Sequence, residues 1–389
     1  MRYYSRMAKY RITQIDPAPG QIDLGIGQPG FDLLPLDLLR RAAAQRLQEE
    51  GTEWLSYGYE QGDGRFRQAL SRLLSRAYHF SVSPADLMVT NGASQGLDLI
   101  CTLFTQPGNT IFVEEPTYFL ALRLFADHGL RVVSIPTTDA GLDVDVLEAA
   151  LRQHRPVLLY TIPTFQNPSG ATMPQAARER LLALSERYGF HIIADEVYQL
   201  LRYTAAPPPP LAQFIASERV FSLGSFSKML APGLRLGWIQ AAPRLLARLT
   251  GSGLLDSGGG LNPFTANVVR VAIEEGWQVA YLAQLRRTYQ RRLAALTAAL
   301  TKELGEMAQF TTPSGGFFVW VQLPQNVDTA ALLPLAHRHQ TGYQPGGRFS
   351  AQSLLRNYLR LSFAFYDEAA LAQGVARLAT ALHDAGVKR

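Results

Sequence analysis

Short apolar runs alternate with amphipathic segments through the first two thirds of the chain. The apolar positions of "RFRQALSRLLSRAYHF" recur about every 3.6 residues, which predicts a helix, and "GASQGLDLICTLF", "LDVDVLEAALRQH" and "QAARERLLALSERYG" are also predicted helical. The runs between helices are β-branched or aromatic and end at turn residues, which predicts strands: "LMVT", "NTIFVEE", "RVVSIPT", "PVLLYTIP", "HIIADEV", "RVFSLGSFS" and "LRLGWIQ". This alternation predicts an α/β fold with a mainly parallel sheet flanked by helices.

The pattern changes from about Trp277 onward. A long helix over "AYLAQLRRTYQRRLAALTAALTKEL" precedes two predicted strands, "GGFFVWVQL" and "YLRLSFAF", which indicate a smaller α+β domain. The segments "AAPPPPLAQ" and "LDSGGGLNPF" are predicted loops. We therefore expect three parts: an N-terminal arm with part of the small domain (1–44), a large domain (45–280) and a C-terminal small domain (281–389).

Composition and charge exclude several classes of protein. With 389 residues, 47% of them hydrophobic, the chain can bury a large core, and its net charge is +5. Lys and Arg are not clustered among aromatics, so nucleic-acid binding is not expected, and no apolar run approaches the roughly 20 residues that span a membrane. A single cysteine, Cys101, and an N-terminus without a secretory apolar region predict a cytoplasmic protein.

The segment "GASQG" permits two interpretations. It matches the G-x-S-x-G turn of α/β-hydrolases, in which Ser94 would be the nucleophile and Asp328 with His337 or His339 its partners. Alternatively, the backbone N–H groups at this helix start would hold an anion. Apart from these two histidines no residues have a spacing close to that of metal ligands, and no third ligand is near, so no metal site is predicted.

The stretch "GSFSKMLAPGLRLGW" contains one lysine, Lys228, and an arginine, Arg235. No Asp or Glu occurs between Glu218 and Asp256, so the local sequence offers this lysine no counter-ion. An apolar setting beside cationic groups lowers the pKa of a lysine and makes its neutral amine available for chemistry. The stretch therefore predicts a functional amine.

Five segments follow one another in an order typical of a single binding crevice. Each lies beside a predicted strand: "NGASQGLDL", "EEPTYF", "PTFQNPSG", "IADEVY" and "SFSK" with the arginine beyond it. Ligands of open parallel sheets bind at the carboxyl ends of the strands. An amine, a carboxylate, an amide, two phenols and two anion-binding segments are therefore expected to converge there.

This ordered set resembles the fold-type I pyridoxal-phosphate (PLP) enzymes of the class I/II aminotransferase family, and most of all its kynurenine and 2-aminoadipate aminotransferase subgroup. The resemblance extends from "LGIGQPGFDLLP" to "NYLRLSFAF". It implies reversible transfer of an α-amino group from an amino acid to a 2-oxo acid, by a ping-pong route through pyridoxamine phosphate. The implied fold is a large, mainly parallel α/β domain with a smaller α+β domain.

The resemblance also implies roles for individual residues around the PLP ring. Lys228 would bind the aldehyde of PLP and move the α-proton of the substrate, and Asp195 would pair with the ring nitrogen. Tyr118 would stack on the ring, while Asn167 and Tyr198 would hydrogen-bond its 3-oxygen. The peptide that follows this asparagine, before Pro168, is often cis in the family.

The phosphate and the substrate would be held by further groups. The phosphate would contact the N–H groups of Ala93 and Ser94, the hydroxyls of Ser225 and Ser227, and Arg235. Tyr57 matches a tyrosine that the partner subunit supplies in the family, which implies a homodimer with shared active sites. Arg360, together with Asn167, would bind the α-carboxylate, which Gly27 would let approach the backbone.

The sequence leaves the substrate and some alternatives open. Gln28, Tyr343 and Arg348 are candidates near the substrate. If Arg348 faces the site, a dicarboxylic amino acid is favoured, and if it faces solvent, an aromatic or branched one. Related β-lyases, decarboxylases and synthases share every residue named. A helix-turn-helix regulator with an aminotransferase-like domain is not expected, since the resemblance begins near residue 20.

Overall fold

The structure is a computed structural model that describes residues 16–387. Its α-helices within that range are α1 Leu36–Gln48, α2 Gly64–Tyr78, α3 Ala93–Phe104, α4 Phe119–Asp127, α5 Val144–Gln153, α6 Gln175–Tyr188, α7 Pro243–Thr250, α8 Gly253–Gly258, α9 Pro263–Glu274, α10 Trp277–Leu304, α11 Thr329–Arg338 and α12 Glu368–Asp384. Its strands are β1 Ile22–Asp23, β2 Leu87–Thr90, β3 Thr110–Glu115, β4 Arg131–Thr138, β5 Gly141–Leu142, β6 Pro156–Thr161, β7 His191–Asp195, β8 Val220–Ser225, β9 Gly237–Gln240, β10 Gln309–Phe310, β11 Phe318–Gln322, β12 Thr341–Gly342, β13 Gln344–Pro345 and β14 Tyr358–Ser362.

An eight-stranded sheet forms the larger layer, in the order β2-β9-β8-β7-β6-β3-β4-β5. The neighbours from β8 to β4 pair in parallel, and β9 runs antiparallel to β8 and β2. Strands β3, β6, β7 and β8 are almost entirely buried. The predicted mainly parallel α/β fold is confirmed, and the carboxyl ends of these four strands lie along one edge.

Successive side chains of the central strands enter two different hydrophobic clusters. Ile192 and Ala194 of β7 belong to the cluster that contains residues of α5 and α6, whereas Ile193 belongs to the cluster on the other face. Because side chains alternate along a strand, Asp195 shares a face with Ile193. Tyr160 is the register partner of Ile193 on β6, so its side chain lies on that face as well.

A four-stranded antiparallel sheet, β10-β11-β14-β13, forms the smaller layer. The 28-residue helix α10 links it to the large sheet and packs along α12. Both predicted strands are present as β11 and β14. Both predicted loops are wrong in part. Helix α8 covers residues 255–258 and α9 residues 263–264 of "LDSGGGLNPF", and a 3₁₀ helix, Leu211–Ser217, begins within "AAPPPPLAQ". The domain boundaries at residues 44 and 280 stay predictions, and residues 1–15 of the N-terminal arm lie outside the described residues.

Across residues 16–387, the structure contains no helix that is both long and apolar enough to span a membrane. Cys101 is buried in the core, where burial raises the pKa of its thiol to about 12. Cys101 is thus part of the hydrophobic core.

His191 makes the fold sensitive to acid. Its ring lies 5.5 Å from that of Phe104 and 5.7 Å from that of Phe221, and burial lowers the pKa of the imidazole to about 4, with Arg219 and Arg248 adding repulsion. In the unfolded chain the imidazole titrates near pH 6.5, as is usual, so between about pH 6.5 and 4 the unfolded state binds more protons. Because of His191, the free energy of unfolding therefore decreases as the pH falls through this window.

We expect His191→Phe to gain stability relative to the wild type as the pH is lowered from 7 to 5, because phenylalanine has no proton to bind. Urea midpoints at several pH values measure this difference. His383→Gln, which removes an exposed imidazole and leaves the core packing intact, is the matched control. Parallel pH profiles for wild type and His191→Phe would contradict the assignment.

Candidate active site

Lys228 lies three residues beyond the end of β8, at the carboxyl edge of the large sheet. Its half-buried side chain donates from Nζ to the carbonyl oxygen of Gly27 at 2.9 Å. Burial lowers the pKa of this amine to about 8, the positive charges of Arg360 and Arg235 lower it further, and Asp195 opposes them. A lysine with this pKa is neutral in roughly one molecule in ten at pH 7. The available amine predicted from the acid-free stretch therefore has a physical basis.

Asp195 ends β7 and is buried with one oxygen bonded and the other free. Its Oδ2 accepts a hydrogen bond from the hydroxyl of Tyr160 at 2.7 Å, and no group in the described part of the chain hydrogen-bonds Oδ1. Burial raises the pKa of this carboxyl, while the Tyr160 hydroxyl and the Val197 N–H oppose the rise. A buried carboxylate oxygen without a partner is costly, so this atom fits a donor that arrives with a ligand. A protonated pyridine nitrogen is such a donor.

Arg360 on β14 is the corresponding unpaired cation. Nη1 donates to Oδ1 of Asn167 and Nη2 to the carbonyl of Gly25, each at 2.9 Å, and the guanidinium lies 3.9 Å from the ring centre of Phe318. Among residues 16–387, no Asp or Glu forms an ion pair with it, and its buried Nε has no partner. Burial lowers the pKa of this guanidinium to about 10. An arginine in this state fits a carboxylate supplied by a ligand.

Gly27 lies against this arginine. A Cβ at this position would meet a ring carbon of Phe318 at 3.1 Å and Nη2 of Arg360 at 3.4 Å. Since the Gly27 carbonyl also accepts from Lys228, the glycine brings backbone between the amine and the guanidinium. This placement agrees with the predicted close approach.

An anion cradle forms where α3 begins. Arg235 donates from Nη1 to Oγ of Ser227 at 3.3 Å, and Ser227 donates its N–H to Oγ of Ser225 at 3.1 Å. Gly92 precedes α3 with φ +84°, and a Cβ there would lie 2.7 Å from Nη2 of Arg235. The positive φ favours glycine at this position, and a Cβ there would displace the flexible end of the Arg235 side chain. The guanidinium, two hydroxyls and the free N–H groups of the first helical turn, which contains Ala93 and Ser94, suit a phosphate.

The buried carboxylate of Glu114 anchors the loop that carries Asn167. Gln166 donates from Nε2 to the Glu114 carboxylate at 3.0 Å and to the carbonyl of Pro116 at 2.7 Å, and Glu114 also accepts from Thr161. The Asn167–Pro168 peptide is cis. Sequence reasoning missed Glu114, because its partners come from a strand that is distant along the chain.

Two tyrosines predicted to contact the ring lie in the same region. Tyr118 precedes α4, and burial raises the pKa of its phenol to about 12, with Asp195 adding to the rise and Arg360 and Arg235 opposing it. Tyr198 is buried with its ring 5.9 Å from that of Phe318, and burial raises its pKa as well. Both phenols therefore remain protonated hydrogen-bond donors at neutral pH.

Several candidates lie elsewhere or have other partners. Tyr57 is 86% exposed. The buried hydroxyl of Tyr343 donates to the carbonyl oxygen of Thr329 at 2.7 Å, so it has a structural partner. Gln28 is also buried. Arg348 is exposed, lies 4.5 Å over the ring of Phe119 and donates to Gln344 at 2.6 Å.

The serine hydrolase alternative is wrong. Asp328 caps α11 and pairs with Arg356 at 2.5 Å, and His339 pairs with Asp384 at 3.0 Å. In the described part of the chain, none of the proposed partners hydrogen-bonds Ser94. Glu196, in contrast, is structural, because it accepts from Ser222 and backbone N–H groups and faces Arg178.

A parallel sheet whose edge presents an amine of lowered pKa, a free buried carboxylate oxygen and an anion cradle defines a PLP-dependent enzyme of fold type I. The chain belongs to the aminotransferase class I and II family, whose model matches residues 19–378. The predicted family, fold class, cofactor and transaminase activity are thereby confirmed.

Relatives and solved structures cover nearly the whole chain. The chain is 35% identical to an aromatic-amino-acid aminotransferase of Thermococcus litoralis over 93% of this chain and 88% of the relative. It is 33% identical to the 2-aminoadipate transaminase of Thermus thermophilus over 95% of this chain and 92% of the relative. The structure of Pyrococcus horikoshii kynurenine aminotransferase in complex with PMP matches with a TM-score of 0.89 at 30% identity, covering 99% of both chains.

Proposed function

We propose that this PLP-dependent aminotransferase uses Lys228 as the proton-transferring base, Asp195 as the partner of the ring nitrogen and Arg360 as the binder of the substrate α-carboxylate. The observation that carries the proposal is that, among the described residues, neither the buried Oδ1 of Asp195 nor the buried Nε of Arg360 has a hydrogen-bond partner. A bound ligand with a pyridinium N–H and a carboxylate supplies both partners at once. Among the described residues, Arg360 has no acidic partner and Oδ1 of Asp195 has no donor, because the bound ligands are proposed to supply both partners.

When bound, PLP supplies an electron sink that stabilises negative charge on the α-carbon of the amino acid. The protein provides the remaining functions. Nζ of Lys228 accepts the proton from the α-carbon and returns it, for which an amine with a pKa near 8 is well matched to neutral pH. Arg360 orients the α-carboxylate with its planar fork of donors, and Asn167 holds that fork at 2.9 Å.

The other cofactor contacts follow from the cradle and the ring pocket. Asn167 and Tyr198 are proposed to hydrogen-bond the 3-oxygen through the amide N–H₂ and the phenol, and Tyr118 to stack on the ring. The phosphate is proposed to bind where α3 begins, at Ala93, Ser94, Ser225, Ser227 and Arg235. The positions of these groups support the assignment: the anion-binding groups lie at the start of α3 and beyond the end of β8, and the ring-nitrogen acid lies at the end of β7.

An absorption spectrum of the purified protein tests the function. We expect a visible PLP band that moves to shorter wavelength when a single amino donor is added without an oxo acid, because the amino group passes to the cofactor. Release of pyruvate, ammonia or carbon dioxide instead would identify a lyase or decarboxylase. Absence of the band even after PLP is supplied would overturn the proposed cofactor site.

We propose a homodimer in which Tyr57 completes the phosphate site of the partner subunit. Large apolar side chains in three segments around this tyrosine are exposed: Leu55 60%, Tyr57 86%, Tyr59 76%, Leu254 61% and Phe264 51%. The cost of exposing such side chains to water favours their burial between two subunits. Sedimentation velocity should show a dimer, and a monomer that retains full activity would refute the shared site. We propose the cytoplasm as its compartment, in agreement with its single cysteine.

The substrate preference is proposed to depend on Arg348. The partner of Arg348 is Gln344, which is in register with Arg360 across β13 and β14. The side chains of Gln344 and Arg360 are therefore on one face of the sheet. Arg348 lies 4.5 Å over the ring of Phe119, Arg360 lies 5.0 Å over that of Phe349, and these two rings pack edge to face at 5.2 Å, so a second cation lies near the α-carboxylate binder. We propose that Arg348, although its side chain is exposed in the ligand-free protein, receives the distal carboxylate of a dicarboxylic amino acid, the substrate type named for the 2-aminoadipate relative. An aromatic substrate, the type named for the other relative, is the alternative that an arginine facing solvent favours.

We expect Arg348→Gln to lower kcat/KM for L-glutamate about tenfold, or ~1.4 kcal/mol, because one charge-assisted hydrogen bond is lost. L-Leucine, which has no second carboxylate, should react as with the wild type. Arg356→Gln removes an exposed arginine of the same segment and is the matched control. Equal kcat/KM values for glutamate in wild type and Arg348→Gln would assign the arginine to solvent.

A further inference from the structure

Tyr160 contacts Asp195 inside the large sheet, at the centre of the proposed cofactor site. The two residues lie on adjacent parallel strands, β6 and β7, and their side chains share one face because Tyr160 is in register with Ile193. The phenol donates to Oδ2 at 2.7 Å. Tyr160 is fully buried and Asp195 is 8% exposed, so water does not compete for this hydrogen bond.

The tyrosine is held in place by its own packing. Its ring meets that of Phe125 edge to face, with centres 5.5 Å apart. Burial, together with the negative charge of Asp195, raises the pKa of the phenol well above its usual value of 10, so the hydroxyl remains a donor at every physiological pH. The carboxylate is therefore fixed through Oδ2, and Oδ1 is left facing away from any protein donor among the described residues.

A donated hydrogen bond also changes the affinity of the carboxylate for protons. Burial raises the pKa of Asp195. The Asp195 carboxylate and the buried Glu114 carboxylate also repel each other. A pyridine nitrogen bound beside this carboxylate would share one proton with it, so a more basic carboxylate would draw that proton off the ring. Donation from a phenol to Oδ2 disperses the negative charge and lowers that basicity.

We propose that Tyr160 is a positioning residue that aims Oδ1 of Asp195 at the ring nitrogen of bound PLP and keeps the shared proton on that nitrogen. This inference rests on the proposed role of Asp195. Tyr160 touches neither substrate nor cofactor and acts through the carboxylate alone. Its effect reaches the reaction because a protonated ring withdraws electrons more strongly from the α-carbon.

Tyr160→Phe in the holoenzyme, reconstituted with PLP labelled with ¹⁵N in the ring, provides the direct test. We expect the ¹⁵N resonance to move toward that of unprotonated pyridine, the dissociation constant of PLP to rise about tenfold and kcat to fall about tenfold, the range for one hydrogen bond to a charged group. Tyr343→Phe is the matched control, since it removes a buried hydroxyl that also makes a 2.7 Å hydrogen bond, to a backbone carbonyl instead. It should leave the resonance unchanged.

A double-mutant cycle with Asp195→Asn separates this role from packing. If Tyr160 acts through the carboxylate, Tyr160→Phe has no further effect on kcat or on PLP affinity in the Asp195→Asn background. An equal loss in both backgrounds, or a ¹⁵N resonance that Tyr160→Phe leaves in place, overturns the inference. A resonance that Asp195→Asn itself does not move would instead refute the proposed role of Asp195. Circular dichroism and the melting temperature of each apoenzyme confirm that the variants fold.

Discussion

Lys228→Ala is expected to abolish transamination while the protein stays folded. The substitution removes the only amine assigned to proton transfer and to covalent binding of the cofactor, and such groups accelerate reactions about 10²–10⁴-fold by acid–base catalysis alone. We therefore expect kcat to fall by at least about 10⁴-fold. Stability should change little, because the amine makes one hydrogen bond, to Gly27, and its lowered pKa shows that its charge gains little from the folded environment.

Steady-state kinetics and a thermal melt of the same samples measure the two parts of this prediction. Lys302→Ala is the matched control, since this lysine is exposed and pairs only with its neighbour Glu303. Its kcat should equal that of the wild type. An exogenous primary amine should restore part of the activity of Lys228→Ala, since it enters the space left by the side chain. Activity of Lys228→Ala within tenfold of the wild type would remove the lysine from the mechanism.

Arg360→Gln is expected to lower kcat/KM about 10²–10³-fold for all amino-acid and oxo-acid substrates. Removing one member of a buried ion pair costs about 3–5 kcal/mol, because the other charge is left desolvated and unpaired. Arg360→Lys should recover little of this loss, since a lysine keeps the charge but not the planar fork that Asn167 and Gly25 orient.

A primary amine that has no carboxylate is the substrate that isolates the role of Arg360 in carboxylate binding. For such an amine, kcat/KM should be the same in wild type and Arg360→Gln, while the spectrum of the bound cofactor stays unchanged in both. A general loss for all amines would mean that the arginine supports the fold of the site instead.

The elements of the large sheet could be predicted because their patterns are local. "HIIADEV" and "PVLLYTIP" are apolar over their full length, as strands buried on both faces must be, and they form β7 and β6. Helix α8 was missed because a six-residue helix with three glycines nearby has no apolar period to detect. The other unpredicted helices are α1, α4, α7, α9, α11 and α12. Two of them begin at a local start signal, an aspartate N-cap, which is Asp328 for α11 and Asp367 for α12.

The chemistry of single residues followed from the sequence where the chain itself defines the environment. The absence of acidic residues around Lys228 predicted a lowered pKa, and the structure places it near 8. Gly92 and Arg235 are 143 positions apart in the chain. The sequence nevertheless predicted that their segments lie in one site, because each is next to a strand of the same sheet.

By itself, the sequence determined the fold class, the family and the types of group at the carboxyl edge of the sheet, since hydrophobic periodicity and short motifs depend on neighbours in the chain. Only the tertiary structure decided which groups pair. The hydrogen bonds of Tyr160 to Asp195, Gln166 to Glu114 and Arg360 to Asn167 join residues 35, 52 and 193 positions apart. Strand register and the docking of the small sheet set these distances, and the burial that leaves Oδ1 and Nε unpaired exists only once the layers have packed.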